Sequence, residues 1–353
     1  MTLDMVLSFV DFWRKQLSCD HIVNDIGYQL HRYTEAGMSK TNETVDDLTR
    51  LAIMHGTDKW GPHFYTPVYH SIFSKRRNDP IRLLEIGVGG YENPLLGGTS
   101  LSMWADYFPN GHIVGVDINE KTLSLDPRII IRKGSQTDSA FLKNIVYEYG
   151  PFDIIIDDGS HVPQHVVQSF HTLWSTLRDG GYYVIEDTQT SLWEKWGGSL
   201  SNGGATMQLA RALMDSLNFA EAAVAAPNLK IDDAVKTVRS LQAFHNLIFV
   251  EKGNNDEPSS LAYDLKNPIA VDAINTIASQ LKSTPTPHGY ANLILLYSTG
   301  KDFDTGIKVA EYALSQWRNH PAIISAAEVI YRSAGHVKEA SMLSTSIDHR
   351  TAQ

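Results

Sequence analysis

The chain has 353 residues, of which 42% are apolar and 20% are charged, a composition typical of one large or two smaller globular domains. Its formal net charge of −10 argues against a nucleic-acid polyanion as the main partner. The single cysteine, Cys19, excludes an internal disulfide and leaves no cysteine partner for a zinc site.

The first residues carry acids and lack the basic segment of a signal peptide, and no apolar run approaches the ~20 residues that span a bilayer. We therefore expect a cytoplasmic protein without a membrane partner. Residues 1–55 place apolar side chains at mixed helical spacings, which predicts a helical N-terminal segment. Residues 56–73 are rich in Gly, Pro and Tyr, which predicts a loop that leads into a short helix.

From residue 81 the pattern alternates between strands and helices. Such alternation builds right-handed βαβ units and a parallel sheet. We therefore expect an α/β fold with a Rossmann-like, doubly wound sheet. The predicted strands are 81–86, 112–116, 128–132, 152–156, 182–185 and a closing strand at 247–250, and the predicted helices are 100–107, 138–148, 165–177 and 205–217.

After about residue 255 the strand pattern stops and helical periodicity continues. Gly300 and Gly335 each separate two apolar helices and lie 35 residues apart, close to the ~34-residue period of tetratricopeptide repeats. A plain helical extension explains the pattern equally well. The chain thus divides into a helical N-terminal segment, 1–55, an α/β domain, 56–254, and an all-helical C-terminal extension, 255–353.

The most informative motif follows the first predicted strand, where Glu85, Gly87 and Gly89 form a Glu-x-Gly-x-Gly turn. The third glycine of the dinucleotide fingerprint would fall at Glu92, which disfavours nicotinamide binding. The small residues of the turn let a ligand approach the backbone closely, and this ligand need not contain a pyrophosphate group. Because parallel strands present their carboxyl ends at one edge, we expect a nucleoside cofactor there.

Two further strand ends deliver polar residues to the same edge. Asp117 ends the second strand and would accept hydrogen bonds from ribose hydroxyls. Gln136 and Asp138 follow the third strand, where an adenine would lie. A single acid at a strand end is often a helix cap or a turn former, but acids that follow several strands in order favour a nucleoside-binding edge.

A second constellation occupies the next two strand ends, where Asp157 and Asp158 follow one strand and Glu186 and Asp187 follow the other. Carboxylate oxygens that converge from two strands suit Mg²⁺ or Mn²⁺, and the lack of a thiolate makes zinc less suitable. His161 is a candidate general base for an alcohol. The structural alternative is that this segment forms a turn and caps the next helix.

Four ordered motifs, over roughly residues 55–253, resemble class I S-adenosylmethionine-dependent methyltransferases. They are Gly-Thr-Asp-Lys at 56–59, the long glycine loop from Gly87, Ile-Asp-Asp-Gly-Ser-His at 156–161 and Val-Ile-Glu-Asp-Thr at 184–188. Together they resemble the branch of metal-dependent sugar O-methyltransferases of macrolide biosynthesis. The resemblance implies a methyltransferase sheet with S-adenosylmethionine and Mg²⁺ or Mn²⁺ as cofactors.

The same resemblance implies roles for the second constellation. Asp158 and Asp187 would be metal ligands, and His161 would be the catalytic base. Asp157 would then face the cofactor or orient the site. The third carboxylate ligand is not fixed, and Glu92 in the long loop is a candidate.

We therefore expect an S-adenosylmethionine-dependent O-methyltransferase that methylates a sugar hydroxyl of a glycoside, glycan or nucleotide sugar, in natural-product or polysaccharide biosynthesis. Trp193 and Trp196 would form an apolar wall for the sugar, or belong to a core or interface. Lys59, Tyr65 and Tyr69 would line the cofactor entrance or lie at the surface. The extra helices at both ends are compatible with a homo-oligomer.

Two alternatives stay open at this point. One is a metal-independent N- or carboxyl-methyltransferase of the same fold. The other is a non-catalytic protein that binds partners through a helical repeat. In the favoured interpretation the partner is a small-molecule or glycan acceptor, and we expect neither a nucleic acid nor a membrane as a partner.

Overall fold

A computed structural model of the chain describes residues 45–226, 234–259, 265 and 267–348. Residues 1–44 of the predicted N-terminal helical segment, with Cys19, therefore lie outside the described residues. Helix α1 (Asp47–His55) follows, and Asp46 caps it by accepting a hydrogen bond from the Thr49 amide. Within these ranges, no helix is both long and apolar enough to cross a membrane.

A seven-stranded mixed sheet forms the centre of the fold. In chain order the strands are β1 (Arg82–Ile86), β2 (His112–Asp117), β3 (Ile129–Lys133), β4 (Ile154–Asp157), β5 (Tyr182–Glu186), β6 (Val238–Phe244) and β7 (Leu247–Lys252). They lie side by side in the order β3-β2-β1-β4-β5-β7-β6, and β1 to β5 are parallel. The strand order reverses between β1 and β4, which is where open α/β sheets bind ligands.

Helices cover both faces of this sheet. They are α1 and, in chain order, α2 (Thr66–Phe73), α3 (Thr99–Tyr107), α4 (Ser139–Tyr149), α5 (Pro163–Leu173) and α6 (Gly204–Ser216). The short helix α7 (Phe219–Ala225) follows α6 and has no buried residue. Neighbouring residues of β1 enter opposite cores. Leu83 shares a core with side chains of α1, α2 and α3, whereas Leu84 shares one with side chains of α4, α5 and α6. The covered faces explain the continuous apolar strands, and they confirm the predicted Rossmann-like, doubly wound fold.

The far edge of the sheet differs from the prediction of a parallel sheet closed by residues 247–250. β7 runs antiparallel to β5 and lies between β5 and β6, a strand that the sequence pattern does not predict. The β6–β7 hairpin turns at Asn246, which has a φ of +61°, a left-handed conformation that asparagine tolerates. β6 is partly exposed at the edge, so it lacks the apolar run by which the buried strands are recognised.

The C-terminal region is helical, as the sequence predicts. Its helices are α8 (Pro268–Ser283), α9 (Pro287–Thr299), α10 (Phe303–Gln316), α11 (Pro321–Ser333) and α12 (Val337–Asp348). They share an apolar core of their own, in which Ile294, Ala310 and Ile330 are buried. This core contains none of the side chains that form the two cores beside the sheet.

Candidate active site

A cavity of about 600 Å³ lies at the carboxyl edge of the sheet, beside the reversal of strand order. Its size is typical of a small-molecule site. Glu85, Asp138 and Asp157 lie outside its lining. The predicted site residues that line it are Gly87, Gly89, Asp117, Gln136, Asp158, His161 and Asp187.

The turn after β1 requires glycine at residue 87. Gly87 has a φ of +100°, and a Cβ atom there would lie 2.0 Å from the carbonyl oxygen of Asp158. The Gly87 amide donates a hydrogen bond to the Val116 carbonyl oxygen at 2.7 Å. The turn therefore ties β1 to β2 and to the loop after β4, and it presents bare backbone to the cavity.

Asp117 ends β2 at the wall of the cavity. Its Oδ2 accepts a hydrogen bond from the Val88 amide at 3.1 Å, and its Oδ1 accepts one from the Asn119 amide at 2.8 Å. A carboxylate oxygen has room for a second hydrogen bond, so Asp117 retains acceptor capacity for a ligand hydroxyl. Its predicted contact with a ribose stays a prediction that this geometry permits.

Gln136 links the cavity wall to a buried acid. Its Oε1 accepts a hydrogen bond from the Ser160 amide at 2.7 Å, and its Nε2 donates to Asp157 Oδ1 at 3.1 Å. Asp157 is buried and also accepts hydrogen bonds from Ser169 Oγ and Tyr183 Oη. Burial raises the pKa of Asp157. Asp157 thus reaches the cavity only through Gln136, which holds the loop that carries His161.

The other two residues outside the lining have local partners. Asp138 caps α4, because its Oδ1 accepts hydrogen bonds from the amides of Ala140 and Phe141 at 3.0 Å. The Glu85 carboxylate is fully buried behind the glycine turn, where Oε2 accepts a hydrogen bond from Ser100 Oγ at 3.1 Å. A contact of either acid with a cofactor stays a prediction.

Asp158, His161 and Asp187 converge beside the cavity, and one ligand atom of each lies within 4.8 Å of the others. His161 Nε2 is 3.6 Å from Asp187 Oδ2. His161 and Asp187 have φ values of +57° and +54°. Such left-handed backbone costs a non-glycine residue about 1–3 kcal/mol and is concentrated at functional sites. The two carboxylates offer oxygen donors that fit a divalent cation such as Mg²⁺, and the imidazole lies beside them.

Groups around Asp187 hold its carboxylate in the charged form. Tyr65 Oη donates a hydrogen bond to Asp187 Oδ1 at 2.7 Å, and His63 Nδ1 lies 3.6 Å from the same oxygen. Burial raises the pKa of Asp187, but the Tyr65 hydrogen bond and the nearby charges of His161 and His63 outweigh burial and lower that pKa. Asp187 is therefore an ionised oxygen donor at neutral pH.

A buried lysine lies among the other acids of this edge. Lys59 Nζ is 3.1 Å from Glu85 Oε1, 2.8 Å from Asp158 Oδ2 and 2.7 Å from Glu186 Oε1. Glu186 Oε1 also accepts a hydrogen bond from Tyr69 Oη at 2.5 Å. Burial lowers the pKa of Lys59, but the three carboxylates outweigh burial and raise it well above its ordinary value. The lysine therefore carries its positive charge at neutral pH.

The remaining candidates lie around this centre. The Trp196 ring meets the His161 ring edge-on with 5.9 Å between centroids, so one of the two predicted tryptophans contacts the candidate base. Trp193 is 41% exposed and has Lys195 Nζ 5.5 Å from its ring centroid. Glu92 is exposed in the loop after β1 and is not part of the Asp158, His161 and Asp187 group.

Comparison with known proteins identifies the family. No family profile matches the chain. The chain is 43% identical over 218 residues to the 8-demethyl-8-(2-methoxy-alpha-L-rhamnosyl)-tetracenomycin-C 3'-O-methyltransferase of Streptomyces olivaceus, covering 60% of this chain and 55% of that protein. It is 42% identical over 228 residues to mycinamicin VI 2''-O-methyltransferase of Micromonospora griseorubida, covering 64% and 57%.

A solved structure agrees with these relatives. The MycE methyltransferase of the mycinamycin biosynthetic pathway, in complex with Mg and SAH, superposes with a TM-score of 0.58 at 39% identity, over 73% of this chain and 68% of that chain. The chain belongs to this family of O-methyltransferases. The family predicted from the four motifs is thereby confirmed. The chain spans little more than half the length of the two curated relatives.

Three residues of this chain lie closer to the acids of the site than the sequence predicts. Lys59, Tyr65 and Tyr69 were expected at a cofactor entrance or at the surface, but they contact Glu186, Asp187 and neighbouring acids. A weak signal existed, because Lys59 ends one of the four family motifs and the two tyrosines are four residues apart. Four residues is one helical turn, which places Tyr65 and Tyr69 on one face at the start of α2.

Proposed function

We propose that the chain is an S-adenosylmethionine-dependent O-methyltransferase that requires Mg²⁺ or Mn²⁺ and methylates a sugar hydroxyl of a small-molecule glycoside or glycan. The observation that carries this proposal is the convergence of Asp158, His161 and Asp187 beside a glycine-lined cavity at the strand-order reversal. The MycE structure, which holds Mg and SAH, and the O-methyltransferase names of the relatives support it.

The cofactor would lie along the first half of the cavity. The bare backbone at Gly87 and Gly89 permits close approach of the amino-acid part of S-adenosylmethionine. Asp117 has acceptor capacity for ribose hydroxyls, and Gln136 lines the cavity beyond it. This arrangement would present the methyl group toward the loop that carries His161.

Asp158 and Asp187 would hold the divalent cation. When bound, such a cation lowers the pKa of an alcohol and holds its oxygen in line with the methyl group. His161 Nε2 would take the proton of that alcohol as the oxygen–methyl bond forms. The Asp187 carboxylate, 3.6 Å from this nitrogen, would stabilise the resulting imidazolium. We assign His161 as base rather than ligand because Mg²⁺ prefers oxygen donors.

The proposal includes the partners expected from the sequence. The acceptor would be a small molecule or glycan rather than a nucleic acid, in agreement with the net charge of −10. A cytoplasmic location without a membrane partner and assembly into a homo-oligomer remain parts of the proposal, and light scattering would measure the latter. The competing metal-independent N- or carboxyl-methyltransferase would transfer methyl groups undiminished in the presence of a chelator.

Methyl transfer from labelled S-adenosylmethionine to a panel of glycosides tests the proposal, with Mg²⁺ or with EDTA. We expect transfer that EDTA abolishes and Mg²⁺ restores. His161→Ala should lower turnover by at least about a hundredfold, the usual contribution of a general base, with SAH affinity unchanged. His171→Ala, an exposed histidine on α5, is the matched control. Undiminished turnover of His161→Ala would remove His161 as the base.

We also propose that α9 to α12 form two tetratricopeptide-like repeats. α11 begins 34 residues after α9, and α12 begins 34 residues after α10. Gly306 and Ala340, also 34 residues apart, are buried small residues at the same place in each second helix. A Cβ atom at Gly306 would lie 2.0 Å from Ile330 Cδ1 and 2.8 Å from Tyr297 Cβ, so a larger side chain there would have to displace the end of Ile330. Gly306→Leu should unfold this region in limited proteolysis and leave SAH binding intact.

A further inference from the structure

The ammonium of Lys59 touches acids from three neighbouring strands of the sheet. Glu85 lies in β1, Asp158 directly follows β4, and Glu186 ends β5. We propose that Lys59 is a positioning residue, which fixes the oxygens that the acidic edge offers to the cavity before any ligand binds. The metal-related part of this inference rests on the proposed function.

Glu186 shows one consequence of this arrangement. Both of its oxygens contact Lys59, at 2.7 and 2.8 Å, and one also accepts from Tyr69. Glu186 is buried, and it is absent from the cavity lining and from the group of candidate ligands. The next residue, Asp187, has a left-handed backbone and enters the cavity instead. Two acids adjacent in sequence thus take different roles because Lys59 and Tyr69 retain one of them.

Asp158 shows the other consequence. Lys59 contacts its Oδ2 at 2.8 Å and leaves Oδ1, and the side chain is 24% exposed at the cavity. The contact fixes the plane of the carboxylate while one oxygen stays available to a ligand. An ammonium ion suits this task because its donors bond Asp158 and both oxygens of Glu186, while its compact charge lies 3.1 Å from Glu85 Oε1.

Lys59 also compensates the charge of the acids that it positions. The side chain is 1% exposed, and Glu85 and Glu186 are similarly buried. Carboxylates gathered in a buried site repel one another, so without a cation they would rotate apart or pair with other groups. Removal of the ammonium should therefore release Glu186 and Asp158 to reach a bound metal in new arrangements.

Lys59→Met tests this inference in the full chain, because methionine fills similar space without the charge. We expect SAH affinity to stay within about twofold and Mn²⁺ to bind still, with turnover at least about tenfold lower, since small misplacements of reacting groups are costly. Lys252→Met is the matched control. Lys252 is also buried, but it donates to the carbonyls of Ser175 and Leu177 and has no part in the cavity lining.

The electron paramagnetic resonance spectrum of bound Mn²⁺ supplies a second readout, independent of turnover. The spectrum should differ between Lys59→Met and the wild-type protein and stay unchanged in Lys252→Met. If the folded Lys59→Met protein turns over like Lys252→Met and has the wild-type spectrum, Lys59 is only a stabilising ion pair. If the wild-type protein binds Mn²⁺ but methylates no acceptor, the proposed function fails, and the spectra alone decide the positioning role.

A second variant covers a Lys59→Met protein that does not fold. Lys59→Ala leaves space next to the cavity, which propylammonium can enter as a replacement cation. We expect propylammonium to restore the wild-type Mn²⁺ spectrum and part of the turnover, and neutral propanol to restore neither. Equal effects of the two additives, or no effect of either, would overturn the proposal.

Discussion

Glu85 provides a quantitative test of the buried acidic edge. Burial raises the pKa of its carboxyl group from 4.5 to about 7, although the Lys59 ammonium acts in the opposite direction. In the unfolded chain the ordinary value of 4.5 applies, so the folded state binds this proton more tightly. Stability must therefore fall as pH rises between these two values. At about 1.4 kcal/mol for each pH unit, the full cost is roughly 3 kcal/mol.

Glu85→Gln removes this ionisation and preserves the shape of the side chain. From about pH 5 to about pH 8 we expect the free energy of unfolding of Glu85→Gln to increase relative to wild type by roughly 2–3 kcal/mol. Chemical unfolding in EDTA at a series of pH values measures this difference without metal. Glu257→Gln, which replaces an exposed acid, is the control. A difference that does not change with pH would refute the assignment of Glu85 as a buried carboxyl group that ionises near neutrality.

The cavity and the helical extension give further expectations. Gly87→Ala should weaken SAH binding in calorimetry by more than about a hundredfold, because its Cβ would lie 2.0 Å from the Asp158 carbonyl oxygen. Gly180→Ala controls for backbone strain, because its Cβ would meet no atom within 4 Å. Asp187→Asn should lose the rise in melting temperature caused by Mg²⁺ and keep the rise caused by SAH, and equal Mg²⁺ effects in both proteins would contradict the metal assignment. A chain shortened after Ser259 should bind SAH within about twofold of the full chain, because none of the residues that the structure describes beyond that point lines the cavity. Loss of binding would assign the C-terminal helices to the site.

The parallel part of the fold could be predicted because its strands are buried on both faces. Ile154 and Ile156 enter one core and Ile155 enters the other, so strand β4 is a continuous apolar run in the sequence. Strand β6 could not be predicted in the same way. It pairs on one side only, and its partly exposed residues follow no strong pattern. The antiparallel direction of β7 follows from the β6–β7 hairpin. Because the sequence does not predict β6, it does not predict this direction either.

The site was predictable where position along a strand determines location. Asp117, Asp158 and Asp187 lie at or just after strand ends, and parallel strands bring those ends to one edge. Asp138 shows the limit of this rule, because its carboxylate turns to cap a helix instead of entering the cavity. Lys59 shows the converse limit. It lies in a loop before the sheet, and loops have no periodic pattern from which the position of a side chain could be predicted.

The roles of the acids follow from the donors that hold them rather than from the acids themselves. Lys59 retains Glu186 and shares Asp158, whereas Tyr65 orients Asp187 and keeps it ionised. Asp157 is occupied by side-chain donors on the buried side of the sheet. The acidic residues alone therefore do not determine which oxygens meet a metal. A relative that retained these acids but replaced the lysine or the tyrosine should differ in metal-site geometry and turnover, even with an identical set of carboxylates.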